Sequence, residues 1–117
     1  MDREKAIDEA KFSSGELREA LVERHSEETQ QKLEQGRVAI AGLGGLGSNV
    51  AIALTRIGVG HLHLLDFDRV DLTNLNRQQY FLDQVGWYKT EALSETLQRI
   101  NPYLDIRFDT VKITDEN

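Results

Sequence analysis

From position 37 onward the chain alternates short apolar runs with stretches whose apolar residues recur every three or four positions. Val38-Ala39-Ile40-Ala41 is continuous and partly β-branched, which predicts a buried parallel strand. Leu46, Val50, Leu54 and Ile57 then mark one face of a helix whose other faces carry Ala51, Ile52 and Ala53. Such a helix is expected to be packed on most sides and to end at Gly58. Leu62 to Leu65 predicts the next strand, running into Asp66. Positions 67–87 are polar and irregular with interspersed aromatics. Residues 88–101 predict a helix with Ala92, Leu93, Leu97 and Ile100 inward, stopped by Asn101-Pro102. Leu104 to Phe108 alternate well enough for a third strand. The order β-α-β-loop-α-β is that of an α/β unit, and right-handed crossovers would set its helices against the faces of a three-stranded parallel sheet.

The first 36 residues have a different character: charged, with no strand-like run. Ser13 followed by Glu16 is a capping box that starts a helix at about residue 14, with Leu17 and Leu21 on one face. A second start at Ser26 leads into a polar helix, which Gly36 is expected to close from the left-handed position past its end. Residues 1–36 are therefore read as an N-terminal helical arm docked by a few leucines, and 37–117 as the sheet-bearing domain.

Composition narrows what this architecture can do. A length of 117 residues suits one domain. Formal charge is −6, and ten of the twenty acids lie in the first 36 residues, a balance that repels phosphate backbones and argues against nucleic-acid partners. With no apolar run approaching about 18 residues and no signal-peptide core, the reading is a cytoplasmic protein with no membrane partner. The absence of cysteine removes thiolate metal sites and cysteine nucleophiles. His61 and His63 share a strand face but lack an evident third ligand, so no metal site is expected and they read as ordinary strand residues.

Chemistry concentrates after the first strand. Gly42-Leu43-Gly44-Gly45-Leu46-Gly47 fits G-x-G-x-x-G between a strand and a helix. Gly42 permits a tight turn, Gly44 lets the backbone approach phosphate, and Gly47 lets the helix pack against the strand. The helix start then offers unpaired N–H groups and a partial positive charge to an anion. Asp66 lies about 20 residues on, where an acid can accept hydrogen bonds from ribose hydroxyls. A strand-end acid is rarely core, so Asp66 is expected to be replaceable without loss of the fold. These features alone leave NAD, FAD and ATP open.

The segment from Asp66 through Gln79 favours a polyphosphate. Arg77 can fork onto phosphate oxygens, Lys89 supplies a compact charge, and Asn74 and Gln78 can donate amide hydrogen bonds beside them. A triphosphate cleaved between α and β needs such a cluster to hold the departing pyrophosphate. Trp87-Tyr88 and Tyr80-Phe81 read as core or lid packing.

Taken together, Arg37-Val38 through Gly47, Leu65-Asp66-Phe67-Asp68, Asn74-Leu75-Asn76-Arg77-Gln78 and Lys89 resemble the ThiF/MoeB/E1-like adenylating superfamily, over residues 24–108. The Asn-Arg-Gln-Gln-Tyr-Phe run most resembles its short bacterial ThiF-like branch. The resemblance implies a Rossmann-like fold, ATP with Mg²⁺, and a homodimer. It implies an adenylyltransferase acting on the C-terminal glycine of a ThiS-like, ubiquitin-like sulfur carrier, in thiamin or related cofactor synthesis. Carried over, Gly42, Gly44, Gly45 and Gly47 would flank the phosphates, Asp66 with Asp68 would form the ribose-side turn, and Asn74, Arg77, Gln78 and Lys89 would surround the triphosphate. Arg77 and Lys89 would be its catalytic pair.

Two departures accompany the resemblance. Arg24-His25-Ser26-Glu27 matches only the first arginine of the family's Arg-Tyr-x-Arg box, and the family's Mg²⁺-linked aspartate would fall after Asn117. The chain is therefore expected to be the N-terminal part of such an enzyme. A non-catalytic nucleotide-binding or dimerisation module, and half of an NAD-dependent oxidoreductase, are the rival readings.

Overall fold

A computed structural model describes residues 3–112 and 114. Helix α1 (Arg3–Glu9) has no apolar periodicity to announce it; it buries Ala6, and Arg3 donates to the Tyr103 carbonyl. Helix α2 (Ser14–Arg24) begins at the expected capping box. Ser13 Oγ accepts the Glu16 N–H at 3.1 Å, and Glu16 Oε1 accepts the Ser13 N–H at 3.0 Å, which holds the Glu16 carboxyl below its ordinary value. Helix α3 (Glu27–Gln35) starts at Ser26, whose hydroxyl accepts the Thr29 N–H. Gly36 ends α3 as expected but not in the left-handed form: its φ of −65° and ψ of 136° are extended. The chain enters β1 (Arg37–Ala41) at the next residue, so it has no room to reverse.

Helix α4 (Gly45–Ile57) ends where Gly58 turns left-handed at φ 99°. Strand β2 (His61–Asp66) follows, then a loop holding two short 3₁₀ turns, helix α5 (Lys89–Ile100) and β3 (Asp105–Thr110). The three strands are parallel in the order β1-β2-β3, with Val38 opposite Leu62 and Leu62 opposite Ile106. α2 and α3 lie at the α4–β2 turn. A side chain on Gly60 would come within 1.8 Å of the Glu34 carbonyl oxygen, and the Gly60 N–H donates to Leu33. Arg18 ties the pair together by bonding both Glu27 and Glu34.

The core is one-sided. Stepping from β1 to β2 to β3 in a single direction brings both crossover helices onto the same face. There Ile40, Leu62 and Leu64 meet Ala51 of α4 and Ala92, Leu93 and Leu97 of α5. Each fully buried leucine of this group contributes about 1.5–3 kcal/mol. This corrects two expectations. β1 is not buried on both sides, since Arg37, Ala39 and Ala41 face away from the helices and are exposed. Nor is α4 packed on most sides. Its buried residues are Ser48, Ala51 and Thr55, whereas Leu46 is 82%, Val50 38% and Ile57 46% exposed. Small residues face the sheet because helix and strand approach closely there, leaving the larger apolar side chains outside.

The bare face of the sheet is polar. His61 Nδ1 lies 2.9 Å from Asp105 Oδ2 and His63 Nε2 lies 2.7 Å from Asp109 Oδ2, each pair joining adjacent strands. The hydrogen bond from His61 holds the Asp105 carboxyl below its usual range. The two histidines are strand residues, as expected, and the structure gives each a carboxylate partner.

Candidate functional site

The C-terminal ends of β1 and β2 carry the glycine loop and the acid turn side by side. Gly42 adopts φ 89°, a left-handed value that glycine takes without strain, and its N–H donates to the Leu65 carbonyl. Gly47 is needed for a different reason. A Cβ there would lie 1.9 Å from the Gly42 carbonyl oxygen, so helix and strand close only on glycine. α4 begins at Gly45 with Gly44 as its cap residue, and no side chain caps that end. The first N–H groups of a 13-residue helix are left for an external acceptor.

Asp66 is placed differently from its expected role. It is only 8% exposed, and both carboxylate oxygens already hold backbone: Oδ2 accepts the Leu43 N–H at 2.6 Å and Oδ1 the Asp68 N–H at 2.7 Å. The expectation that Asp66 can be replaced without touching the fold is therefore corrected. Its carboxylate braces the middle of the glycine loop, and only its remaining lone pairs are open to a ribose.

The loop from 74 to 80 is stitched to the same place. A methyl group on Gly44 would sit 3.7 Å from Gln78 Nε2, and one on Gly45 would sit 3.5 Å from the Arg77 carbonyl. Gln79 donates through its backbone to Ser48 Oγ and through Nε2 to Asn49 Oδ1, while Asn49 donates to the Gly45 carbonyl. Tyr80, buried, donates its hydroxyl to the Leu43 carbonyl at 2.7 Å. Burial, then the nearby Asp66 charge, pushes the Tyr80 phenol well above its ordinary value, so it remains a donor. Ser48, Asn49, Gln79 and Tyr80 were not singled out as site residues from the sequence. A polar run after the arginine was the only signal, and it does not say which partner each side chain meets.

The expected nucleotide residues divide into two groups. Gly42, Gly44, Gly45, Gly47, Asp66, Arg77 and Gln78 come together. Asn74 supports them from its own turn: its Oδ1 accepts the Asp71 N–H and caps a 3₁₀ turn, and its carbonyl accepts the N–H groups of Arg77 and Gln78. The Asp68 carboxylate is exposed, while its carbonyl accepts the Lys89 N–H at 3.0 Å. Arg77 is exposed, with Nη1 folded back onto the Thr73 carbonyl and Asn76 Oδ1.

One charged side chain in this region is largely buried, and one polar atom is buried without a partner among the described residues. Lys89 is 6% exposed, and among the described residues no carboxylate lies within 4.0 Å of its ammonium. Its charge reaches Asp71, whose carboxyl is lowered first by the Thr73 N–H and hydroxyl and then by this lysine. Gln78 Oε1 is buried and accepts no hydrogen bond among the described residues. Of the aromatics read as packing, Tyr80 is core, Phe81 is 51% exposed, and Tyr88 stacks under Arg69 at 4.0 Å.

A parallel sheet with a glycine loop and a strand-end acid at its carboxyl edge defines a nucleotide-binding α/β unit. The chain belongs to the ThiF family, whose pattern matches residues 17–117. It is similar to the ubiquitin-like modifier-activating enzyme 5 of Arabidopsis thaliana, at 45% identity over 84 residues, 72% of this chain and 20% of that protein. The enzyme of the same name from Drosophila persimilis is 41% identical over 103 residues, 88% of this chain and 25% of its own. Among solved structures, E. coli tRNA N6-threonylcarbamoyladenosine dehydratase, TcdA, in complex with ATP superposes with a TM-score of 0.84 at 31% identity, covering 92% of this chain and 46% of that one. E. coli MccB with ATP gives 0.71 at 37% identity, covering 74% and 26%. The chain thus spans a fifth to a quarter of these curated relatives and less than half of these solved chains.

The bracing role of Asp66 is open to a direct test. Asp66→Ala leaves the buried Leu43 N–H without an acceptor, which should cost about 1–3 kcal/mol. Urea unfolding of the variant should show a midpoint lowered accordingly. A midpoint equal to that of the unaltered chain would exclude the brace.

Proposed function

We propose that this chain forms the nucleotide pocket of an enzyme that uses ATP to adenylylate the C-terminal glycine of a ubiquitin-like carrier protein. The uncapped start of α4 carries the reading: its first N–H groups, with the Gln78 amide nitrogen beside Gly44, suit a polyphosphate at the carboxyl edge of the sheet. Arg77 beside that helix start and the Lys89 charge, which reaches Asp71 on the same loop, fit the same ligand. The relatives support it, since TcdA and MccB were solved with ATP and the sequence relatives are ubiquitin-like modifier-activating enzymes.

In the proposed reaction a carboxylate oxygen attacks the α-phosphorus. The bond from that phosphorus to the bridging oxygen breaks, and pyrophosphate leaves with the electron pair. The carboxylate is already a nucleophile, so no general base is needed and the pocket works by positioning and by charge. Arg77 would swing out from its own loop to meet the charge that develops on the bridging oxygen. Mg²⁺ would lower the charge of the triphosphate. Among the described residues there is no group of three His, Asp or Glu side chains that could hold a metal ion.

The finer readings are part of the proposal. They are a ThiS-like sulfur carrier serving thiamin or related synthesis, a cytoplasmic location, and residues 1–36 as an arm on a domain formed by 37–117. Among the described residues no helix is long and apolar enough to cross a membrane. A homodimer is favoured by the exposed Leu46, Val50 and Ile57, which recur at four- and seven-residue spacing along α4.

Three outcomes are expected. By calorimetric titration the protein binds Mg·ATP more tightly than NAD; equal or tighter NAD binding would sink the assignment. Arg77→Ala slows carrier-dependent ATP–pyrophosphate exchange by about 10²–10³-fold at saturating ATP while ATP affinity falls much less. An exchange rate at saturation that is untouched would reduce Arg77 to a surface charge or a binding residue. Light scattering gives a dimer that Val50→Glu converts to monomer, and a monodisperse monomer for the unaltered protein at high concentration would exclude the dimer.

A further inference from the structure

Leu43, the variable residue between the first two glycines, is the most tightly held point of the loop. It is fully buried, its N–H is taken by Asp66 Oδ2 at 2.6 Å, and its carbonyl accepts the Tyr80 hydroxyl at 2.7 Å. The second of these bonds has a consequence at the next residue. No peptide bond among the described residues is cis, so the Leu43 carbonyl and the Gly44 N–H point to opposite sides of one rigid plane. With the carbonyl drawn inward to a buried tyrosine, the Gly44 N–H is turned outward, and no acceptor among the described residues takes it. Glycine has little intrinsic resistance to a flip of that plane, because both signs of φ are open to it. Something other than sterics must therefore fix its direction.

We propose that Tyr80 is a positioning residue for the phosphate chain of a bound nucleotide: its hydroxyl locks the Leu43–Gly44 peptide so that the Gly44 N–H faces the phosphates. The inference rests on the ATP-pocket reading above and assigns Tyr80 a part in it. Tyr80 touches no ligand in this reading; it acts through the Leu43–Gly44 peptide plane, whose carbonyl it holds. Gln79 and Asn49 serve the same geometry from the outside, since Gln79 holds Asn49 and Asn49 holds the Gly45 carbonyl at 2.5 Å. The raised phenol, kept protonated by burial and by the Asp66 charge, stays a donor throughout the neutral range. A loop whose competent orientation is only partly populated binds more weakly in proportion to that fraction.

The test is a pair of titrations, Mg·ATP and adenosine, into the unaltered protein and Tyr80→Phe. The variant removes one oxygen and keeps the ring in its buried place. ATP affinity should fall about tenfold, the equivalent of one hydrogen bond, while adenosine affinity stays the same because adenosine has no phosphate to meet Gly44. Unchanged ATP affinity overturns the proposal and leaves the ATP pocket standing. ATP and adenosine weakening together would mean that Tyr80 merely supports packing, and also overturns it. An unaltered protein that binds no ATP overturns the pocket reading and this inference with it. If Tyr80→Phe does not fold, the ¹⁵N-labelled Gly44 amide of the unaltered protein decides. It should shift and become protected from exchange on adding Mg·ATP, and a Gly44 amide that does neither overturns the proposal.

Discussion

One carboxylate joins the carboxyl ends of β1 and β2. Asp66 leaves the sheet at the end of β2, turns inward, and holds the Leu43 N–H of the loop that leaves β1, with a second bond to Asp68 shaping its own turn. Without an acceptor there, a buried backbone N–H would sit in the core beneath the glycine loop. Much else at that end of the molecule is built on this contact. Tyr80 holds the carbonyl of the same residue, in the next peptide group, the loop bearing Arg77 and Gln78 is carried in with it, and α4 can start only where Gly42 and Gly47 bring the backbones together.

The same end is also where the molecule tolerates polar burial. The Lys89 side chain is largely buried and Gln78 Oε1 is enclosed without a donor among the described residues, which in an ordinary core would be a liability. Placed beside unpaired helix N–H groups, they instead describe a site poised for an anion with hydrogen-bond donors of its own. The opposite end of the sheet follows different rules. There Gly60 packs against the Glu34 carbonyl, and Arg18 with Glu27 and Glu34 seats α2 and α3 by contact and charge.

One-sided packing governs the remaining surfaces. Because α4 and α5 cover a single face, the other face of a parallel sheet is left to Arg37, His61, His63, Asp105, Arg107 and Asp109, of which His61 pairs with Asp105 and His63 with Asp109 across strands. Close approach of α4 to the sheet demands Ser48, Ala51 and Thr55 inward, which turns Leu46, Val50 and Ile57 outward. That inversion defeated a reading of α4 from hydrophobicity alone, since the largest apolar residues of a helix usually mark its buried face.

Local chemistry was legible in the residues themselves. The strands β1 and β2, the capping box at Ser13, the stop at Asn101-Pro102, the left-handed glycine after α4 and the glycine loop before it each depend on near neighbours, whose effects act within a few positions. The resemblance carried by Gly42 to Gly47, Asp66 and Asn74 to Gln78 likewise pointed to the family that the comparisons establish. What the tertiary structure alone decided are the long-range pairings: Asp66 with Leu43, Tyr80 with the Leu43 carbonyl, Gln79 with Asn49, and the burial of Lys89. A hydrogen bond between residues 23 to 37 positions apart leaves no periodicity in the chain; it depends on which face both helices share, and packing determines that only once the sheet has formed.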